Sequence, residues 1–355
     1  MVTTQAEPRQ ARIVVAGVDT HKSTHHAAVL TLTGTVLADA EFPTTGAGYQ
    51  ALLDWVGSYG VIDRIGVELT GSYGAGLTRH LAASGIEVAE VNTTDKATRA
   101  RRGKDDRIDA IAAGQKVLAG MATATPKDTT GVIESIRMLA MVRDLAVRNR
   151  TQAFNQIKDL RITAPAGLRE AIAGLSLKAL AKEATRFRPD LARMVEPEQA
   201  AKLVLKRLGD RIGALTTEIN AAEKELGALV AATAPTLISR PQIGVHTAAQ
   251  FLVSAAANID RFPDDAAFAR LCGAAPVPVS SGKTHRMRLH RGGDRQANKA
   301  LHMIIVGRMK NHPETLAYVE RRLAEGLSKN DIKRALKRFL ARQVFNDLKT
   351  DLSQT

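Results

Sequence analysis

The chain of 355 residues has one cysteine, Cys272. That excludes a disulfide framework and any cysteine-based zinc cluster, and it fits a reducing cytosol. No apolar run approaches the roughly 18–20 residues that a membrane span needs. The opening MVTTQAEPRQAR lacks the apolar core of a secretory signal. Aromatic residues make up 4%, which argues against a protein that reads single strands mainly by stacking bases on rings. No internal repeat is visible. What is abundant is positive charge. Fifty Lys and Arg face 36 Asp and Glu, a net charge of +14, and hydrophobic content is an ordinary 45%. A folded chain with that excess points to a polyanionic partner, most simply nucleic acid.

The excess is uneven. Residues 1–130 carry 13 basic and 14 acidic side chains, residues 131–235 carry 17 and 12, and residues 236–355 carry 20 and 10. A neutral module joined to a basic one suggests division of labour, although a charged run is often only a solvated face.

After a polar tail (1–11), periodicity predicts a strand at 13–18 ending at Asp19, and two more at 27–33 and 35–42 around a Gly34 turn. A helix follows from about 45 through Val56, then a strand at 64–69, a helix at 74–83, a strand at 86–91 and a helix at 106–119. The order β-β-β-α-β-α-β-α is that of an RNase H-like fold, with Val/Ile-rich strands under helical cover. Residues 12–128 are therefore expected to form this α/β domain. Beyond it the pattern turns helical. Leu205, Leu208, Ile212, Leu215, Ile219, Ala222, Leu226 and Leu229 alternate spacings of three and four, which predicts either a coiled coil and a homodimer or an amphipathic helix packed within its own bundle. Residues 129–234 are read as this helical region, 235–347 as a mainly helical third domain with one loop at 273–295, and 348–355 as a tail. The turn in 238–257 resembles a helix-hairpin-helix, with Gln242 where such hairpins usually carry glycine.

Four carboxylates stand out. Asp19 ends the first strand in VAGVDTHK, Glu68 ends the fourth in IGVELTG, and Asp106 and Asp109 lie one helical turn apart in GKDDRIDA. In an open α/β sheet, sites form beyond the strand ends. Taken singly each acid is most simply a cap or a solvated charge; four together repel unless cations neutralise them. Hard oxygen ligands select Mg²⁺ or Mn²⁺, and two such ions can stabilise both the attacking and the leaving oxygen of a phosphoryl transfer. Asp105 is a fifth acid nearby. His21 and Lys22 are read as phosphate contacts or exposed turn residues, and His25 and His26 as structural.

The segments GVDTHK, VELTGSYG and GKDDRIDA resemble the D-E-D-D signature of bacterial insertion-sequence transposases with a RuvC-like N-terminal domain, a group that includes the DNA invertase Piv. The stretch FARLCGAAPVPVSSGKTHRMRLHRGGDRQANKALHMI resembles the second conserved domain of that family. The resemblance spans about residues 13–345. It implies site-specific DNA recombination, with Asp19, Glu68, Asp106 and Asp109 binding divalent metal and Ser281, before Gly282, as nucleophile. It further implies a non-coding bridge RNA that selects donor and target DNA, and dimers and tetramers in which the acidic domain of one protomer lies near the serine domain of another. Such a protein would act in the bacterial cytoplasm at the nucleoid. Ser280 directly precedes Ser281, and Lys104-Asp105-Asp106 replaces the more usual Lys-Thr-Asp.

A serine hydroxyl needs activation to attack phosphate, and Lys283, Arg286, Arg288, Arg291 and Arg295 lie around Ser281 to hold a phosphoryl group or a backbone. A second basic run, Lys333, Arg334, Lys337, Arg338 and Arg342, forms one stripe on a helix and suits a nucleic-acid backbone. The opposite side, Ile332, Leu336, Phe339, Leu340 and Val344, is then expected in the core. The alternatives are a junction-resolving endonuclease or a protein-only invertase, and beyond those a non-catalytic nucleic-acid-binding protein. A sugar-kinase or actin-like ATPase is disfavoured because DTHKSTHH lacks the Gly-rich phosphate hairpin.

Overall fold

The computed structural model describes residues 12–92, 105–281, 284–290 and 292–353, with backbone alone at 280, 281, 284–286 and 289. The chain divides into two compact units. One holds the residues up to Gly131 together with Ala256–Arg261, and the other holds Val132–Ala255 and Phe262–Thr355.

In the first unit the apolar runs form β1 (Ile13–Thr20), β2 (Thr24–Thr31) and β3 (Val36–Pro43), then α1 (Gly46–Gly57), β4 (Val61–Glu68), α2 (Ala75–Ala83), β5 (Val88–Val91) and α3 (Asp106–Leu118). The strands stand in the order β3-β2-β1-β4-β5. β1 is antiparallel to β2, β2 to β3, while β1–β4 and β4–β5 are parallel. This mixed sheet is consistent with the RNase H-like arrangement. Side chains alternate across it. Val14, Ala16 and Val18 bury against Leu52 and Val56 of α1 and Leu77 and Leu81 of α2. Val15 buries on the other face with Ala113 and Val117 of α3.

Gly17 lies on the α3 face of β1. A β-carbon there would stand 2.2 Å from the Ala110 carbonyl oxygen and from the Gly114 nitrogen. Helix and strand backbones therefore nearly touch, and α3 is pinned to β1 two residues before Asp19. Asp39 of β3 steadies the start of α3 by accepting from Arg107 Nε at 2.6 Å, with His26 Nε2 at 3.0 Å on its other oxygen.

The second unit carries α4 (Gly131–Thr163), α5 (Ala166–Ile172), α6 (Leu177–Ala184), α7 (Pro197–Thr233), α8 (Pro235–Ile238), α9 (Val245–Ala255) and α10 (Asp265–Leu271). After these come β6 (Pro276–Ser281) and β7 (Thr284–Leu289), then α11 (Arg295–Asn311), α12 (Pro313–Ala324) and α13 (Lys329–Leu352). Of the two readings of the heptad seam, packing within the chain's own bundle is seen for part of it. Leu205 and Ile212 bury with Ala153 and Ile157 of α4 and with Leu180, Ala181 and Ala184 of α6. Arg143 Nη2 donates to Glu223 Oε1 at 2.7 Å and Arg150 Nη1 to Thr216 Oγ1 at 3.3 Å, so α4 and α7 run antiparallel. A heptad spacing reports helix-on-helix packing, and here the chain itself supplies the partner helices.

Two expectations change. The loop at 273–295 contains an antiparallel ribbon, β6 on β7. Pro276 and Pro278 hid it, because proline is confined to strand edges, and a two-stranded ribbon consists of edges alone. The last helix also runs past residue 347, burying Leu348 and Asp351 rather than leaving a tail.

Candidate metal centre and nucleic-acid surface

β1 and β4 are neighbours with Val18 opposite Val67, so Asp19 and Glu68 follow side by side at the two strand ends. Thr20 Oγ1 ties the ends together by donating to the Glu68 carbonyl at 3.1 Å. Just beyond, Leu69 turns the chain with φ 50°, a left-handed conformation that costs roughly 1–2 kcal/mol for a residue with a β-carbon. Asp19, Glu68 and Asp109 are 5%, 1% and 8% exposed, far below what free carboxylates tolerate. Asp105 does not join them. It is the N-cap of α3, its Oδ1 accepting from the Arg107 amide at 3.0 Å, and that cap starts the turn that presents Asp106 and Asp109.

His21 completes the cluster. Its Nδ1 lies 3.6 Å from Asp19 Oδ2 and its Nε2 3.7 Å from Asp106 Oδ1. Both exceed hydrogen-bond length, yet one ligand atom from each of the three residues falls within 4.8 Å of the others. Two ligands about 2.1 Å from one Mg²⁺ or Mn²⁺ lie at most about 4.2 Å apart. Each His21 separation is inside that bound, but the two start from different ring nitrogens, so His21 and one of the two carboxylates fit a shared divalent ion. Burial lifts the Asp19 carboxyl above the ordinary carboxylate range. His21 opposes the lift, and the charges of Asp109 and Asp106 add to it. Glu68 sits on the neighbouring strand with Lys116 Nζ 4.0 Å from its Oε1. Lys116 also donates to the Asn92 carbonyl at 2.7 Å. The role of His21 is only half legible in sequence, and Lys116 is missed there, although it lies seven residues after Asp109, two turns along one helix face.

His25 is fully buried and stacks on Tyr49 with centroids 5.7 Å apart. Burial pushes its imidazole below the usual histidine range.

In the second unit Ser281 pairs with Thr284 at the tip of the β6–β7 ribbon. Its side chain and that of Arg286 lie outside what is described, as do Lys283 and Arg291 altogether. Arg288 and Arg295 are exposed. The stretch after the ribbon is a bonded frame. Asp294 caps α11, accepting from Gln296 and Ala297 amides at 2.8 and 3.0 Å and from Ser254 Oγ at 2.6 Å. Asn298 Nδ2 donates to the carbonyls of Cys272 and Gly273, and its Oδ1 accepts from Lys337 at 2.9 Å.

The expected single basic stripe on α13 is split. Lys337 is half-buried on Asn298, and its ammonium is held below the ordinary lysine range by burial. Arg338 reaches Asp265 at 2.9 Å and Arg342 the same carboxylate at 3.6 Å. Arg334 pairs with Asp331, and Lys333 is half-exposed. Phe339, expected in the core, is 57% exposed, whereas Ile332, Leu336, Leu340 and Val344 are buried. Gln242 adopts φ 64°, the conformation for which a hairpin uses glycine. Arg308 Nε braces that turn by donating to the Pro241 carbonyl at 3.1 Å.

Comparison with known proteins decides the family. A family model described as "Transposase", of the DEDD IS110 type, matches residues 16–160. A second, described as "Transposase IS116/IS110/IS902 family", matches residues 234–320. The first match contains all four acids and the second contains Ser281. The chain belongs to the IS110 family of transposases. It is similar to an uncharacterized 43.6 kDa protein of insertion element IS110 from Streptomyces coelicolor, 27% identical over 360 residues and 88% of each chain. It is also similar to the mini-circle putative transposase for IS117 from the same organism, 27% identical over 77% of this chain and 78% of that one. An uncharacterized protein of insertion element IS900 from Mycobacterium paratuberculosis is 27% identical over 38% of this chain and 34% of its own. Membership makes this chain an enzyme that cuts and rejoins DNA. Among the described residues, no helix is long and apolar enough to cross a membrane.

Proposed function

We propose that this IS110-family transposase is a metal-dependent recombinase that moves its insertion element through a serine nucleophile, guided by a bridge RNA. One observation carries the reading: Asp19, His21 and Asp106 bring three ligand atoms within 4.8 Å beside the buried Asp109 and Glu68. Mg²⁺ or Mn²⁺ held by Asp19, Asp106 and Asp109, with Glu68 at the adjoining strand end, supplies charge stabilisation to the transferring phosphoryl group. His21 steadies Asp19 and Asp106. Ser281 Oγ attacks phosphorus, forming an O–P bond while the bond from phosphorus to a sugar oxygen breaks. The hydroxyl proton passes to a base and the leaving sugar oxygen gains a proton. The phosphoserine ester keeps the bond energy for rejoining. Arg288 and Arg295, with Lys283, Arg286 and Arg291, hold the phosphate, and Lys333, Arg334 and Arg338 hold nucleic-acid backbone, while Lys337 braces Asn298.

The basic surface and the scarcity of rings support delegating the choice of donor and target DNA to base pairing with RNA. The reading includes a dimer or tetramer acting at the nucleoid, as the family resemblance implies. The test uses a plasmid carrying the element's own ends. Wild-type protein, denatured in mid-reaction, carries a covalent DNA adduct and yields strand exchange. Ser281→Ala loses both while keeping DNA binding, and Asp19→Ala does the same. Full strand exchange by Ser281→Ala refutes the nucleophile. Sequencing RNA that co-purifies from the host tests the guide, and a discrete transcript from the flank of the gene is the expected result.

A further inference from the structure

Phe339 is the misplaced residue of α13. Its helix buries Ile332, Leu336, Leu340 and Val344, yet this ring is 57% exposed in a chain with few rings to spare. A phenylalanine has a large area to bury and no polar handle that would draw it to water. Its setting is also specific. On one side lies a concavity of about 370 Å³ lined by Pro276, Met287, Arg288, Arg334 and Arg338. On the other lies one of about 310 Å³ lined by Arg240, Arg342, Gln343 and Asn346. Phe339 borders both. Tyr318 braces the ring, centroids 5.9 Å apart and planes at 89°, and Arg321 stands over Tyr318 at 5.4 Å. Among the described residues no other ring contact to Phe339 is made.

We propose that the Phe339 ring stacks on an unpaired nucleobase of a bound strand whose phosphates run through the flanking arginines. The inference rests on the reading that this surface holds nucleic acid. Five arginines line the two concavities against Asp331 and Asp347 and against Asp265, which Arg338 and Arg342 reach, so the surface keeps a positive excess that favours an anionic partner. A duplex offers phosphates and base edges but keeps its base faces stacked. An unpaired base offers the flat face that a lone ring accepts, and a charged groove with an aromatic platform is how single strands are held. Arg321 over the bracing Tyr318 ring, at 5.4 Å, steadies the platform by cation–π attraction. The low aromatic content rules out a row of such platforms and leaves room for one.

The test uses short oligonucleotides containing 2-aminopurine, as single-stranded DNA, single-stranded RNA and duplexes, with the full chain. Wild-type protein quenches the probe on single strands. Phe339→Ala binds single strands on the order of tenfold more weakly and loses the quench, while duplex affinity stays within about twofold. Phe339→Trp keeps binding and Phe339→Leu behaves like Phe339→Ala. Unchanged circular dichroism is expected because the ring is exposed. The strand type that loses affinity identifies whether the base comes from DNA or RNA. Equal binding and quenching by Phe339→Ala overturns the proposal, as does a parallel loss on duplexes. Wild-type behaviour of Phe339→Leu also overturns it, by pointing to an apolar contact such as a peptide. If Arg334→Gln weakens every probe while Phe339→Ala weakens none, the stacking alone fails. If wild-type protein binds no probe, the nucleic-acid reading fails with it.

Discussion

The two compact units treat charge in opposite ways. In the first, three carboxylates sit at strand and helix ends with at most 8% of their surface exposed, fixed by backbone so rigid that Gly17 has no room for a β-carbon. In the second, Arg334 and Arg342 of α13 and Arg288 of the ribbon are exposed, and the α13 arginines pair with Asp331 or Asp265 at their own rim. Buried charge of one sign is costly unless opposite charge balances it, which agrees with the divalent ion proposed for the first unit. Exposed cations cost little and give little stability, so the second is built to meet a polyanion. The difference predicts that changes in the first unit act through rigidity and metal, and changes in the second through salt-dependent binding.

The largest break in that comparison is Gly17→Val. The added carbons meet the backbone of α3, not a side chain that can swing away. Overpacking costs about 1–3 kcal/mol, and more where backbone must move. Thermal unfolding of the variant should show the first unit loosened and transposition lost. A melting profile like that of the wild type would show that α3 is not clamped as described.

Asp19→Asn comes next. It should lower strand exchange by roughly a hundredfold or more. It removes a buried charge, so the variant without metal should melt no lower than the wild type in EDTA. Addition of Mn²⁺ or Mg²⁺ should raise the midpoint of the wild type and leave that of the variant nearly unmoved. An equal rise in both places the ion elsewhere.

The order of elements in the first unit and the placing of four acids at element ends were legible because strand periodicity and the ends of apolar runs are local signals. The parts that were not legible depend on partners far along the chain. Leu205 reads the same whether its helix meets another molecule or Ile157 and Leu180. Phe339 keeps helical register with either the core or the rim, and only the packing of α13 decides. The ribbon holding Ser281 was masked by its prolines. Asp105 and Asp106 are adjacent acids that spacing does not separate; the resemblance points to Asp106, and the cap geometry gives Asp105 its structural role. His21 could be placed near the site but not between two carboxylates, because α3 returns to β1 from 85 residues away.

A smaller effect separates buried from exposed titration. Burial favours the neutral form of His25 in its stack on Tyr49, while the unfolded chain protonates it near pH 6.5. The unfolded state then binds more protons, so stability is complete above that pH and falls as pH drops below it, by up to about 1.4 kcal/mol per pH unit until the folded group titrates. His25→Phe keeps a ring against Tyr49 and removes the proton site. Its midpoint should vary less between pH 6.5 and 5 than that of the wild type. Parallel curves would assign the acid sensitivity to other groups.

The smallest effect belongs to Arg334→Gln. Arg334 pairs with Asp331 at an exposed helix turn, so folding stability should change by less than about 0.5 kcal/mol. Binding to duplex DNA should weaken by a similar factor on every sequence, because a phosphate contact carries no base information. The slope of log affinity against log salt should shrink by about 0.9. A slope equal to that of the wild type would mean that Asp331, and not a phosphate, remains the partner of Arg334 in the complex. It would shift the polyanion surface of the second unit toward Arg288 and Arg295, and the contrast with the buried acids would then rest on the ribbon rather than on α13.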